Sequence, residues 1–377
     1  MRNIRLGSLL GIPIYVNPSW FILFGVVMWF LATSIFPDVL RDSSRSTHVA
    51  MAAVSAVMFF ISILLHELAH SIVARWYKIP VKSLTLFLLG GVAQITRDAT
   101  KPLSEMLMAA AGPFTSLLLG GLFLGIWALQ GTNADSPVDV VLLWLGGMNI
   151  VLAVFNMIPA FPMDGGRVFR SLLWLITGNY YRATIIAAWM GRGFGWIMIC
   201  AGFLGALGYD VFIADSLRSG IWIIVMGFFI ENAARQGIVQ NKLVAALSRY
   251  RASDLMIADP PTVDPAISVS ALARGVLELN PRVCYFVEEH GKLMGIISSY
   301  QMRAIPESRW MSTTAGQAMI PSAKLHAVAP DRMANEVLLQ METDDLTHLP
   351  VVASGRVVGV IGRDRIVTIL KQAGLIR

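Results

Sequence analysis

Residues 49–74 read VAMAAVSAVMFFISILLHELAHSIVA. Up to Leu65 the run is uncharged, and as a helix it would rise about 25 Å from Val49. That is most of a hydrocarbon core about 30 Å thick. His66, Glu67 and His70 then follow within one turn and a half. An apolar run of this length predicts a membrane helix, and ionisable groups at membrane depth are costly enough to mark a functional position.

The rest of the chain agrees with a membrane setting. Of its 377 residues, 55% are hydrophobic and 14% charged, and the mean hydropathy is +0.63. Soluble domains carry roughly 25% charged residues. Charges are sparse between Pro18 and Glu231 and ordinary after Asn241, which predicts a membrane domain over residues 1–240 and a soluble part behind it. Six segments read as spans: Pro18–Phe36, Val49–Ala74, Met106–Leu129, Val138–Ile158, Ile185–Leu207 and Gly220–Ile230. Arg2, Arg5, Arg75, Lys78, Lys82, Arg97, Lys101, Arg167, Arg170, Arg182, Arg235 and Lys242 fall on one side, and Arg41, Arg45, Asp135 and Asp139 on the other. The positive-inside rule makes the first side cytoplasmic, with both termini there. The net charge of +6 is explained by such loops and calls for no nucleic acid. The N-terminal segment lacks the pattern of a cleavable signal. Cys200 and Cys284 lie one in each part, so no disulfide framework is expected.

One apolar stretch does not read as a helix. Val81–Ile95 (VKSLTLFLLGGVAQI) alternates around Gly90-Gly91 and predicts a β-hairpin, either re-entrant and shielded by the helices or on the cytoplasmic surface.

His66 and His70 at i and i+4 share one helical face and can reach a single Zn²⁺ at about 2.0–2.1 Å. Glu67 beside them can take a proton from a metal-activated water, the HExxH arrangement of metalloproteases. Alternatively Glu67 pairs with Arg75 or Lys78 and the histidines bond to backbone. A catalytic zinc takes three protein ligands. His48, His290, His326 and His348 lie outside the membrane-embedded part, so a carboxylate must supply the third. Asp164 in Asn156-Met157-Ile158-Pro159-Ala160-Phe161-Pro162-Met163-Asp164-Gly165 is that candidate, expected on irregular backbone after Pro159 and Pro162. A pair with Arg167 is its alternative role.

These motifs resemble the site-2 protease family of intramembrane metalloproteases. His66 to His70 matches the family's first motif and Asn156 to Gly165 its second; Ala110-Ala111-Gly112-Pro113 resembles its Gly-Pro segment, with Ser116 where an Asn is common. The resemblance implies Asp164 as third zinc ligand, Asn156 as the donor that steadies the oxyanion, Glu67 as general base, and transmembrane proteins as substrates. It also implies a hairpin near the site that pairs with an extended substrate. Residues 97–105 leave no room for a PDZ domain. Asn149 reads as an interhelical hydrogen bond.

The soluble part contains a repeat. Gly291–Ile297 (GKLMGII) recurs as Gly355–Ile361 (GRVVGVI), Tyr285-Phe286-Val287 aligns with Leu349-Pro350-Val351, and Met256-Ile257 with Met319-Ile320. Each unit reads strand, helix, strand, strand, helix. The pair, over 250–310 and 311–377, resembles tandem CBS domains, which implies adenine-nucleotide binding or dimerisation. Gln301 and Arg365 stand where that family has a ribose-binding Asp, which speaks for a homodimerising or regulatory module without nucleotide. The expected whole is a polytopic α-helical membrane protein with a small hairpin and a C-terminal α/β tandem CBS domain, in a prokaryotic plasma membrane. A metal-ion transporter or a non-catalytic scaffold with the same tail is the rival. The transporter predicts a repeated transmembrane half, which the sequence lacks.

Overall fold

The computed structural model describes residues 3–87, 90–95, 99, 101–131, 136–209, 211, 217–258, 261–273, 284–290, 292–322, 327–344, 346–353 and 356–372. Arg2, Arg97, Asp135, Gly291, His326 and Gly355, used above, lie outside them. The chain divides into two units, Met1–Ile238 and Val239–Arg377.

The first unit is helical. Helix α1 (Ser19–Phe30) continues through a π turn at Leu31–Ile35 into α2 (Phe36–Val39). Then come α3 (Arg45–Trp76), α4 (Pro102–Leu129), α5 (Pro137–Asn156), α6 (Asp164–Thr177), α7 (Tyr180–Ala206) and α8 (Leu217–Leu247). Among the described residues, five helices are long and apolar enough to cross a membrane: Ser19–Val39, α3, α4, α5 and α7. They cover the first five expected spans. The sixth, Gly220–Ile230, lies in α8, which is not among the five. Its apolar stretch is cut short by Glu231, Arg235 and Lys242. In α8, Gly220 and Gly227 lie against Gly202 and Gly195 of α7, so close that a Cβ would meet backbone within 3 Å. The Arg192 Nε–Glu231 Oε1 pair adds a 2.8 Å bond between the same helices. Small residues that let backbones approach are the usual basis of helix pairing in lipid.

Helix α3 explains how the site is presented. Ser44 caps it, its Oγ accepting from the Thr47 N–H at 3.2 Å. Its buried residues, including Met51, Ser55, Ser62, His66, His70 and Ala74, recur every three or four positions. The two histidines therefore lie on the face that packs into the protein.

The expected hairpin exists as β3 (Val81–Phe87) and β4 (Gly90–Ile95), antiparallel, with Leu86 opposite Gly91. It differs from expectation in two ways. Gly90-Gly91 begin the second strand and do not form the turn. The hairpin also belongs to a four-stranded sheet of order β1-β2-β3-β4. Strands β1 (Ile4–Leu9) and β2 (Ile12–Val16) form a second hairpin, and β2 runs parallel to β3. Leu10 and Gly11, both at positive φ, make its two-residue turn. Alternation in Ile12-Pro13-Ile14-Tyr15-Val16 signals β2 in the sequence: Ile12, Ile14 and Val16 are buried and the residues between them less so. Ile12, Val16, Leu84 and Leu86 pack on Leu68, with Leu64, Leu65 and Ile72 around them. The sheet thus rests on the helical turn that carries the histidines.

The second unit contains two sheets, β10-β11-β5 and β6-β7-β8-β9, in which β6 is Thr262–Val263, β7 Cys284–Glu289 and β10 His348–Ala353. The repeats exchange their leading segments. Strand β5 (Ile257–Ala258) pairs with β11 (Arg356–Gly362) of the second repeat. Strand β9 (Ile320–Pro321) pairs with β8 (Lys292–Ser298) of the first. Met256 and Ile257 press on Gly359 as Met319 and Ile320 press on Gly295, at distances that leave no room for a Cβ. Leu247, Ala252 and Leu255 accordingly complete the core of Val337, Leu349, Val351 and Ile361. The sequence repeat is thus real, but each copy is finished by the segment that precedes the other.

Candidate metal centre

The site is built where α3, α4 and the start of α6 meet. His66 and His70 are 4% exposed. His70 Nδ1 donates to the Met108 carbonyl at 2.7 Å, and His66 Nδ1 shares a 2.9 Å hydrogen bond with Ser116 Oγ. Both partners are on α4. With the Nδ1 atoms so engaged, the two Nε2 atoms are the ones turned inward. Asp164 Oδ2 lies 3.2 Å from His66 Nε2 and 3.1 Å from His70 Nε2.

Asp164 is the first residue of α6, so the expectation of irregular backbone applies to the residues before it. Gly165 and Gly166 lie flat against the backbone of Met157, Ile158 and Ala160, where a Cβ would fall 2.3–2.7 Å from main-chain atoms. That close fit folds the chain back under α5 and returns Asp164 to the histidines.

Gly112, one turn beyond Met108, lies directly beside the imidazoles. A Cβ there would sit 2.2 Å from His70 Nε2 and 2.6 Å from His66 Nε2. The following Pro113 lies inside α4. Its missing N–H removes the helical bond to the carbonyl of residue 109, next to the Met108 carbonyl that accepts from His70 Nδ1.

Glu67, next to His66, packs against the sheet. A Cβ on Gly91 would lie 2.5 Å from Glu67 Cγ, so the glycine in β4 makes room for this side chain. Asn156, half-buried at the end of α5, donates from Nδ2 to the Leu152 carbonyl at 3.0 Å. That uses one of the amide's two N–H groups. Asn149 bonds Ser62 of α3 at 3.3 Å, the interhelical contact its spacing suggested. His48 bonds the Leu40 carbonyl and takes no part.

Among the described residues, His66, His70 and Asp164 form the one group able to hold a metal ion, their donor atoms all within 4.8 Å of one another. Two imidazole nitrogens and a carboxylate oxygen, with each imidazole oriented from behind by a hydrogen bond, fit Zn²⁺ and leave a fourth position open. Residues 54–134 and 125–200 match the sequence profile of Peptidase family M50. A candidate zinc metalloprotease of Synechocystis sp. is 33% identical, covering 99% of this chain and 96% of that protein. The chain belongs to family M50. Another candidate zinc metalloprotease, Rip3 of Mycobacterium tuberculosis, is 32% identical over 96% of this chain and 91% of its own. The solved Site-2 Protease from Methanocaldococcus jannaschii is 32% identical and covers 63% of this chain and 95% of its own, with a TM-score of 0.44. Residues 252–304 and 316–372 match the CBS domain. The chain is therefore a membrane metalloprotease of family M50 carrying tandem CBS domains.

The sequence alone pointed to His66, Glu67, His70 and Asp164. It did not give roles to Ser116 and Met108, nor weight to Glu105 and Arg170. Ser116 could have been found, since it stands where the family commonly has an Asn.

Proposed function

We propose that the chain hydrolyses peptide bonds in or near the transmembrane segments of other membrane proteins, with His66 Nε2, His70 Nε2 and Asp164 Oδ2 holding one zinc ion. The convergence of these three donor atoms carries the reading. Held by these three residues, a zinc ion would supply a water of lowered pKa and polarisation of the scissile carbonyl. Glu67, one residue from a ligand and steadied against Gly91, accepts the proton as the new C–O bond forms. It returns that proton to the amide nitrogen as the C–N bond breaks. The second N–H of Asn156 is offered to the oxyanion, the kind of contact worth about 2.7–4 kcal/mol where a single oxyanion donor has been removed from other hydrolases. A helical substrate must unwind to expose its amide, and strand addition to the sheet would hold it extended.

Both termini face the cytoplasm in this reading, in a prokaryotic plasma membrane. The CBS pair regulates the protease or dimerises it without adenine nucleotide, as Gln301 and Arg365 in place of carboxylates suggest. In the first repeat Gln301 is held by Ser298, its Oε1 accepting from the Ser298 N–H at 3.0 Å.

The test compares three purified variants on a transmembrane reporter. Glu67→Gln should keep zinc and lose cleavage, Asp164→Ala should lose both, and Asn156→Ala should keep zinc and lose about 10²–10³ in rate. Full zinc occupancy in Asp164→Ala would move the third ligand elsewhere.

A further inference from the structure

We infer that Glu105 and Arg170 form a buried clamp that positions Asp164 against the two histidines. The inference rests on the proposal that Asp164 is a zinc ligand, and it assigns a task to an ion pair that the chemistry does not use.

Glu105 lies in the first turn of α4 and is 1% exposed; Arg170 on α6 is 7% exposed. Arg170 Nη2 donates to Glu105 Oε1. Arg167, one turn earlier on α6, brings its Nε to 4.0 Å from the same oxygen. The Arg170 guanidinium is enclosed by aromatic rings, 4.9 Å from the Tyr180 centroid and 5.7 Å from that of Phe161. Phe161 is itself wedged in place. Its carbonyl lies against Gly191 of α7 and its ring against Gly237 of α8.

The positions of these residues give the pair its meaning. Glu105 stands three residues before Met108, whose carbonyl orients His70. Arg170 stands six residues after Asp164, about 9 Å along the same helix. The clamp therefore joins the helix that orients both imidazoles to the helix that delivers the carboxylate. Among the described residues, the ion pairs that join α4 to α6 are those of Glu105 with Arg170 and, more loosely, with Arg167. Glycines 165 and 166 set the angle at which α6 starts, but packing alone lets a short helix slide along its groove. A charge-assisted contact enclosed by rings has one position, and it fixes that slide. Burying a carboxylate and a guanidinium is expensive, and Glu105 Oε2 is buried with no hydrogen-bond partner among the described residues. A site that only needed packing would be served as well by apolar side chains.

The experiment measures zinc affinity of the full chain in detergent by competition with a chelator, together with helicity and unfolding temperature. Glu105→Gln and Arg170→Met should each raise the zinc dissociation constant roughly 10–100-fold, the range for groups that orient ligands. The double variant should be no weaker than the worse single one, because both remove one device. Arg170→Lys, which keeps the charge and spares the fold, should fall between. Asp164→Ala serves as the control. If it keeps full zinc affinity, the ligand assignment itself fails. If it loses zinc while Glu105→Gln and Arg170→Lys bind as tightly as the wild type, the ligand stands and the clamp is overturned. A lower unfolding temperature with unchanged zinc affinity would likewise make the pair a staple of the fold and nothing more. Additive losses in the double variant would also refute it.

Discussion

Replacing Gly112 by alanine sets two physical effects against each other. In a helix interior alanine is favoured over glycine by about 0.5–1 kcal/mol, so on propensity alone the variant should be more stable. The geometry says otherwise for the site. The added Cβ would lie 2.2 Å from His70 Nε2 and 2.6 Å from His66 Nε2, about 1 Å inside carbon–nitrogen contact at about 3.5 Å. Both rings are pinned from behind, by the Met108 carbonyl and by Ser116. Swinging either ring away breaks a buried hydrogen bond, so the ligand atoms or α4 must move by about 1 Å. Metal sites tolerate about 0.2 Å, and a misplacement near 1 Å can reduce activity about 10²-fold, equivalent to about 2.7 kcal/mol. Gly112→Ala should therefore bind zinc at least about 10²-fold more weakly and cleave correspondingly less, while its helicity holds or rises. Gly121→Ala and Gly125→Ala on the same helix meet nothing within 4 Å and should leave zinc affinity unchanged. Zinc titration with a competing chelator, on all three proteins in detergent, makes the comparison. Wild-type zinc affinity in Gly112→Ala would refute the placement of α4 against the histidines.

Further expectations follow from neighbouring contacts. Gly91→Val, whose Cβ would crowd Glu67 Cγ at 2.5 Å, should retain zinc yet lose turnover by about 10²-fold; loss of zinc with it would mean that the strand holds the ligands and not the base. Ser116→Ala removes the partner of His66 Nδ1 and should weaken zinc binding about 10–100-fold, read by the same titration. In the second unit, burial lowers the His348 pKa below its usual 6.5, with Asp364 opposing the shift. The folded form then holds the neutral ring while the unfolded chain takes up a proton. The contribution of His348 to stability is thus complete above about pH 6.5 and is lost as pH falls below it. Amide exchange of β10 (His348–Ala353) and β11, corrected for intrinsic rate, should accelerate on acidification, and His348→Gln should remove that part of the effect.

How much of this was legible in the residues follows from which forces act locally. A run of apolar residues must be helical in lipid because nothing else satisfies its backbone, so the spans through α7 could be read from composition. An i, i+4 pair of histidines converges by helix geometry alone, which exposed His66, Glu67 and His70. Asp164 was reachable because an incomplete ligand set asks for one more carboxylate. The limits lie where partners are distant in sequence. Strand β2 pairs with β3 across an entire helix hairpin, and no local pattern states that pairing. Gly91 read as part of a hairpin turn, Gly165 and Gly166 as a tight turn and Gly112 as part of a Gly-Pro segment, yet each is small because another segment lies against it. In the CBS repeats, the sequence showed two equal copies but not that β5 finishes the second and β9 the first, since identical motifs satisfy either pairing. The sequence by itself determined the medium, the helices through α7 and which residues are the candidate metal ligands. The tertiary structure decided which backbones touch, and so which Ser, which carbonyl and which buried ion pair hold those ligands in place. Close packing between segments far apart in the chain is a property of the fold and has no periodicity to reveal it.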